Sequence, residues 1–483
     1  MSDILQPMTL PAWIVSLPLV AAGLSVMLPK FGRQAVFLTA VAIWVSVAIL
    51  GREVLRQGMI RMPVGGWQAP LGIELYADGL SAVMLAITAL IMGVITFYAA
   101  SYIRAEAASR YFWPLWFFLW SALNALFLSG DIFNLYVTLE LLGLSAVSLV
   151  AISRTDEALP AAMRYLLVSL AGSLSYLMGV ALLYAATGTL NLELLAAAQP
   201  GSTALTTAFA LMAAGLVMKS ALFPMHFWLP PAHGSAPAPV SAALSALVVK
   251  ASFYIMVRLW LVVFQPFINP TAVQMIGILG VMAIIWGSLQ ALLTKRLKLL
   301  VAYSTVAQIG YLFLIFPLLT ISGGGQSAWQ GGIYFVISHA CAKAAVFLAA
   351  GNVLNAIGHD RIDELSGIVQ RLPISMFAFA LAGVSLIGLP PSGGFIAKWF
   401  YLNAALTGGQ WWWSVFILLG GLLATAYVFR FFSRAFCYST DVVPGRSVPR
   451  IMEWTAFTLA MCAILLGLAA PMVIRLLSAG SPL

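Results

Sequence analysis

Residues 216–234 read LVMKSALFPMHFWLPPAHG and follow a long apolar run. Lys219 and Pro224 therefore lie in a segment otherwise suited to the core of a bilayer, which takes about 20 apolar residues to cross. A central ionisable side chain costs at least about 2.5–3.5 kcal/mol there. Interrupted backbone at that depth is tolerated only where protein covers it or water reaches it. The stretch predicts a broken membrane helix with a proton-handling lysine.

The composition assigns the whole chain to the membrane. Of its 483 residues 62% are hydrophobic and 8% are charged, whereas soluble domains carry about 25% charged residues. The net charge of +9 reflects basic loops on one side of a membrane. It therefore does not indicate a nucleic-acid partner, and a lipid bilayer and other membrane proteins are the expected partners. Three scattered cysteines, Cys341, Cys437 and Cys462, form no metal or disulfide motif. We expect no cofactor and no metal.

The apolar runs predict an all-α polytopic protein, one transmembrane domain over 1–483 with about fourteen spans. Spans 7 and 12 are predicted to be broken, at Pro224 and at GLPPSGG (388–394), and span 11 is long and runs through Gly351 and Asn352. The predicted spans are 10–29, 35–51, 79–103, 111–129, 131–152, 162–186, 205–230, 239–262, 272–292, 299–318, 331–357, 373–406, 411–433 and 454–477.

Loop charge predicts the orientation. Lys and Arg concentrate on the odd-numbered loops, which the positive-inside rule places in the cytoplasm. Both termini then lie on the non-cytoplasmic side. Lys30, Lys295 and Lys298 are assigned to these loops.

Five further ionisable groups lie deep inside predicted spans. Lys219, Lys250 and Lys343 are roughly 17–21 Å from the start of their spans, near the middle of a core about 30 Å thick. Glu140 is the one acidic residue at similar depth, and Lys398 follows the break in span 12. The alternative to proton transfer is that such groups pair to join helices or extend to the interface. We expect that structural role for Arg258, which is close enough to a span end to snorkel.

Three histidines lie in or beside these spans and are also considered as proton carriers. His339 precedes Lys343 by four residues, so both lie on one helix face. His226 and His233 lie where span 7 ends, and there a structural role and a proton-carrying role remain open. The interruptions at spans 7 and 12 are five spans apart, which predicts two inverted five-helix repeats, 111–262 (spans 4–8) and 272–433 (spans 9–13).

Several segments resemble the antiporter-like membrane subunits of Mrp-type cation/proton antiporters, respiratory complex I and membrane-bound hydrogenases. The resemblance covers residues from about 70 to 435, and GGWQAPLGIELYADGLSAVML (65–85) is most similar to the Mrp D-type subunit. The other segments are DIFNLYVTLELLGLSA (131–146), the stretch 216–260, LKLLVAYSTVAQIGY (297–311), SHACAKAAVFLAAGN (338–352) and GLPPSGGFIAKWF (388–400).

The resemblance implies a role for each buried charge. Glu140 is the span 5 glutamate, Lys219 is its span 7 partner, and Lys250 is the central lysine of span 8. His339 and Lys343 lie on a broken span 11, and Lys398 is the terminal residue of span 12. The implied function is proton translocation within a multisubunit complex of integral membrane proteins in a bacterial inner membrane, with Na⁺ or K⁺ as candidate coupled cations.

Three other functions remain to be compared. A quinone- or hydrogenase-linked pump uses the same subunit type, and its redox chemistry resides elsewhere, because this sequence has no GxGxxG, Walker or cysteine-ligand motif. An organic-solute carrier requires a substrate pocket, whereas the polar positions here are single lysines. An intramembrane enzyme requires a motif such as HExxH or GxSxG, which the sequence lacks.

Overall fold

The computed structural model describes residues 9–28, 32–198, 203–267, 269–320, 323–437 and 445–480. Lys30 lies outside these residues. The described chain is helical apart from one antiparallel hairpin, β1 (Ile60–Pro63) and β2 (Glu74–Ala77). The helices of its first half are α1 (Leu10–Met27), α2 (Gly32–Gln57), α3 (Gly79–Tyr102), α4 (Glu106–Phe127), α5 (Ile132–Ala151), α6 (Ala158–Thr187), α7 (Leu192–Ala198), α8 (Thr203–Lys219), α9 (Leu229–Ser235), α10 (Ala238–Ala243) and α11 (Val249–Leu259).

The second half continues with ten helices. These are α12 (Pro270–Leu293), α13 (Leu297–Phe313), α14 (Ile315–Leu319), α15 (Gly325–Ile357), α16 (Ile368–Arg371), α17 (Pro373–Ile387), α18 (Gly393–Thr407), α19 (Trp412–Ala435), α20 (Arg450–Leu465) and α21 (Ala470–Leu477).

Within the described ranges, ten helices are long and apolar enough to cross a membrane, or eleven when the bent pair α20 and α21 counts as one. The multi-pass helical architecture is therefore as predicted, with fewer qualifying spans than fourteen. Predicted spans 4, 7 and 12 lie outside the set. Spans 7 and 12 do so because each is divided into shorter helices.

Both predicted interruptions are present. Helix α8 ends at Lys219, and Ala221 two residues later has a φ of 56°, a left-handed conformation in which a helix cannot continue. Helix α17 ends at Ile387 and is followed by Gly388, whose φ is 89°. Ser392 caps the start of α18 by accepting a hydrogen bond from the Phe395 amide. At both breaks, backbone groups without a helical hydrogen-bond partner are therefore available to bond side chains.

The expected break in span 11 is wrong. Helix α15 runs without interruption over Gly325–Ile357. Gly351 serves close packing instead, because a Cβ there would lie 2.2 Å from the Cβ of Ala238. Asn352 is held by hydrogen bonds from its amide to the Ser375 hydroxyl and the Met452 carbonyl. Helix α15 is buried along its hydrophobic length and forms the centre of the second half.

The span of α10 and α11 contains two π-helical turns that the sequence did not reveal, Leu244–Val248 and Trp260–Phe264. Lys250 is the second residue after the first turn. Such turns are rare and occur often at functional sites. Their consequence here is that the carbonyls before Lys250 are available to its side chain.

Candidate functional site

Glu140 and Lys219 form a buried ion pair at the break that follows α8. The Lys219 Nζ lies 3.1 Å from Glu140 Oε1, and the Ser173 hydroxyl of α6 donates to the same oxygen. Small residues make room for the lysine, since a Cβ at Gly172 would lie 3.1 Å from Lys219 Cγ. Both side chains are largely buried, 6% and 20% exposed. The pair predicted from the sequence is therefore in contact.

Lys250 is fully buried and bonded to its own helix. Its Nζ donates to the carbonyls of Ser245 and Ala246, each at 2.8 Å. Both carbonyls belong to the first π-helical turn. An ammonium group has three donors, so these two bonds leave one for another acceptor. Of the four lysines inside the predicted spans, only Lys219 has a carboxylate at ion-pair distance among the described residues.

Lys343 connects α15 to α13. Its Nζ donates to the Val301 carbonyl at 3.1 Å and also to the Ser304 hydroxyl. His339, one turn earlier, lies stacked on Phe335 with ring centroids 5.7 Å apart. In the part of the chain that the structure describes, neither ring nitrogen of His339 has a hydrogen-bond partner. A buried polar group without a partner is unusual and points to a functional role or to water.

Lys398 fills the second break. Its Nζ donates to the carbonyls of Leu386 at 3.3 Å and Ile387 at 2.8 Å, the last two residues of α17. It also lies 4.6 Å from the centre of the Tyr311 ring, a cation–π arrangement. A Cβ at Gly388 would lie 2.7 Å from Lys398 Cδ, so glycine at this position admits the lysine stem.

Lys219, Lys250, Lys343 and Lys398 are called the lysine series below. Lys250, Lys343 and Lys398 lie close enough to His339 for their charges to influence it, and Lys250 lies close enough to influence Lys343. At the other end, a small cavity lined in part by Lys219, Ser169 and Ser252 extends from the Glu140 pair towards the helix of Lys250. The fold places the six predicted residues on a succession of neighbouring helices: α5 and α8 contact α11, the first π-helical turn contacts α15, and α15 contacts α18.

Comparison with known proteins matches this arrangement to a family. The sequence profile described as NADH:quinone oxidoreductase/Mrp antiporter, TM, matches residues 129–424. The chain belongs to this family. The matched region contains all six predicted residues.

Two relatives and two solved structures show how far the family likeness extends. The N-type subunit of the NADH-quinone oxidoreductase of Desulforudis audaxviator is 35% identical over 439 residues, 88% of this chain and 86% of that protein. The D-type subunit of the Na⁺/H⁺ antiporter of Bacillus subtilis is 30% identical over 430 residues, 87% and 86% of the two proteins.

Among solved structures, a chain of the Mrp complex of Dietzia sp. DQ12-45-1b superimposes with a TM-score of 0.90 at 26% identity, covering 98% of this chain and 96% of that one. A chain of an archaeal membrane-bound sulfane sulfur reductase superimposes with a TM-score of 0.89 at 27% identity, covering 98% and 97%. The family fold therefore extends over nearly the whole chain.

Lys298 was wrongly assigned to a loop. It is the second residue of α13 and is 2% exposed. Its Nζ donates to the carbonyls of Gly234 and Ala236, the latter at 2.5 Å. It became buried because the Asp360 side chain accepts hydrogen bonds from the Lys298 amide and the Arg296 side chain, which fixes the start of the helix. The available sequence signal was its seven-residue spacing from Thr305, which places both on one helix face.

The two open histidines differ in burial. His233 on α9 is 1% exposed and stacks on Phe347 at 4.8 Å, and the charges of Lys298, Lys343 and Lys250 act on it. His226 is less buried and stacks on Phe223 at 5.5 Å. His233 therefore adjoins the lysine series, and His226 lies beside the α8 break.

Arg258 does not snorkel as expected, but its buried ion pair with Asp78 fits the structural role predicted for it. It is 2% exposed, its Nη2 donates to Asp78 Oδ1 at 2.8 Å, and its guanidinium lies 5.2 Å from the rings of Tyr76 and Tyr254. Burial acts to raise the pKa of Asp78, but the charge of Arg258 and the hydrogen bonds outweigh it and hold that pKa below its usual range. Burial and Asp78 raise the pKa of Tyr76 to about 12.

Proposed function

We propose that the chain is the proton-translocating membrane subunit of a multisubunit cation/proton antiporter, similar to the Mrp D-type subunit. The observation that carries the proposal is the buried Glu140–Lys219 pair at a broken helix, followed by amines that have no carboxylate partner within the described residues. The proposed relay comprises Glu140, Lys219, Lys250, His339, Lys343 and Lys398.

The proposed sequence of events uses the chemistry of buried amines. A proton enters by a half-channel, reaches Lys219 and Lys250, and passes on to Lys343 and Lys398. Burial disfavours the charged form of an amine, and a neighbouring carboxylate favours it. A change in the Glu140–Lys219 separation therefore shifts Lys219 between holding and releasing a proton. Moving one charge across 100 mV takes about 2.3 kcal/mol, which a change in such a pair can supply.

The same proposal includes a membrane arrangement. We assign fourteen spans by adding three to the eleven that include the bent pair α20 and α21: α4, the divided span that contains α8, and the divided span of α17 and α18. The proposed inverted repeats cover 111–262 and 272–433. Supporting this, the two breaks are five spans apart and each holds a buried lysine, Lys219 and Lys398. The positive-inside rule supports non-cytoplasmic termini in a bacterial inner membrane. Other integral membrane subunits are the proposed partners, and Na⁺ or K⁺ the candidate cations.

A second candidate is a proton-pumping subunit of an NADH:quinone oxidoreductase-like or hydrogenase-like complex. It is favoured by the 35% identity to the N-type subunit of an NADH-quinone oxidoreductase. Both candidates use the same relay and differ in what drives it. An antiporter moves protons when Na⁺ or K⁺ is added alone, whereas a redox pump needs an electron donor.

The decisive experiment replaces Lys219 with alanine in the assembled complex in proteoliposomes. Coupled proton movement should be lost while the complex still assembles, because the Glu140 carboxylate then has no proton carrier beside it. Lys295→Ala is the matched control, since Lys295 is an exposed lysine and its loss should leave transport unchanged. Wild-type transport by the Lys219→Ala complex would refute the assignment.

A further inference from the structure

Two buried hydroxyl groups adjoin the carbonyls that bond Lys250 and Lys343. Ser245, in the first π-helical turn, and Thr305, on α13, have their side-chain oxygens 2.9 Å apart. Both residues are 0% exposed. Neither belongs to the six residues assigned to the relay. Their bond joins the helix of Lys250 to α13, whose Val301 and Ser304 accept hydrogen bonds from the Lys343 amine.

Each end of this hydroxyl pair adjoins one lysine. Lys250 Nζ donates to the backbone carbonyl of Ser245 itself at 2.8 Å. Thr305 Oγ1 donates to the Val301 carbonyl at 3.0 Å, and Lys343 Nζ donates to that same carbonyl at 3.1 Å. Lys250 is thus bonded to the carbonyl of Ser245, and Lys343 to a carbonyl that also accepts from Thr305. Lys343 donates to the Ser304 hydroxyl as well.

The hydrogen bonds give the pair a direction. A hydroxyl has one proton to donate and two acceptor positions. Because the Thr305 hydroxyl donates to Val301, the proton in the Ser245–Thr305 bond comes from Ser245. Within the described residues no other group donates to the Ser245 oxygen, so it has an acceptor position for a proton that arrives from Lys250. Carbonyl oxygens hold the lysines but have no proton of their own to pass on.

We propose that Ser245 and Thr305 form the bridge by which a proton passes from Lys250 to Lys343, an inference that rests on the proposed relay function. The Lys250 ammonium gives a proton to the Ser245 oxygen, and Ser245 gives its hydroxyl proton to Thr305. Thr305 gives its own to the neutral amine of Lys343. Lys250 ends as an amine, Lys343 as an ammonium and both residues as hydroxyls, so one proton has moved. The amines turn from their carbonyls to the adjacent hydroxyls for each transfer.

The test measures cation-driven proton flux by the assembled complex in proteoliposomes. Ser245→Ala and Thr305→Val should each slow the flux about 100-fold, the lower part of the range for a positioned proton-transfer group. Thr305→Ser retains the hydroxyl and should restore the flux. Thr88→Val and Ser288→Ala remove hydroxyls that are equally buried, at 0% exposure, and should have no effect.

Lys250→Ala separates failure of the bridge from failure of the relay. If Ser245→Ala and Thr305→Val transport normally while Lys250→Ala does not, the bridge is wrong and the relay stands. If Lys250→Ala also transports normally, the proposed relay is wrong as well. Equal loss in Thr305→Ser and Thr305→Val would overturn the bridge, because the hydroxyl would then not be the property that matters.

Discussion

Glu140→Gln is the substitution that isolates the electrostatic part of the mechanism. Glutamine keeps the size of the side chain and an oxygen that accepts hydrogen bonds, and it removes the charge beside Lys219. At the observed separation of 3.1 Å and an effective dielectric constant of about 20, opposite unit charges attract by ~5 kcal/mol. Desolvation of the two groups offsets part of this attraction.

Even half of that attraction corresponds to roughly a 100-fold change in the equilibrium constant for proton binding by Lys219, since about 1.4 kcal/mol is tenfold. Without the carboxylate, Lys219 should hold its proton that much less well, and coupled transport should fall by a similar factor. The assay is decay of a preformed pH gradient in proteoliposomes after a pulse of Na⁺ or K⁺, with the amount of assembled complex determined in the same vesicles.

Glu53→Gln provides the matched control. Glu53 is also a buried glutamate, 9% exposed, and it accepts hydrogen bonds from Arg56 and Gln57 on its own helix, away from the lysine series. Its replacement should leave transport unchanged. Equal transport by Glu140→Gln and wild type at equal assembly would show that the pair does not set the protonation of Lys219.

Two further predictions concern stability and are measured as the unfolding temperature of the solubilised complex. Asp78→Asn leaves Arg258 buried without its counter-charge and should cost about 3–5 kcal/mol, whereas Arg61→Gln, at an ion pair whose side chains are 42% and 43% exposed, should cost less than about 1 kcal/mol. Gly215→Ala places a Cβ 2.2 Å from the Gly172 carbonyl oxygen and should cost about 1–3 kcal/mol by forcing α6 and α8 apart. Comparable unfolding temperatures for Asp78→Asn and Arg61→Gln, or no shift for Gly215→Ala, would contradict the packing described.

The predicted breaks were found because proline and glycine act locally. The 388–394 segment interrupts its helix in place, and α8 ends at Lys219, shortly before Pro224, so no distant residue is needed to foresee an interruption in either region. Gly351 shows the limit of that reasoning. The same residue type stands in an unbroken helix there, because Ala238 packs against the position that a side chain would occupy. Whether a glycine breaks a helix or admits a neighbour depends on what lies beside it.

Arg258 and Lys298 illustrate a second limit. Their positions near the end of a run suggested contact with water, yet both are 2% exposed. Arg258 is buried by a carboxylate 180 residues earlier in the chain, and Lys298 is buried by carbonyls 64 and 62 residues away. A local pattern cannot show whether a distant partner will cover a charge.

The amino-acid sequence by itself determined that the chain crosses a membrane many times and carries costly charges at mid-depth. The reason is that the bilayer imposes a length on apolar runs and a free-energy cost on each buried charge. Both can be recognised from the sequence of a single segment. Only the tertiary structure decided which groups the other buried lysines meet: π-turn carbonyls for Lys250, the Val301 carbonyl and the Ser304 hydroxyl for Lys343, and the last carbonyls of α17 for Lys398. Those contacts join helices or alter helical geometry, and they arise from packing that no single segment encodes.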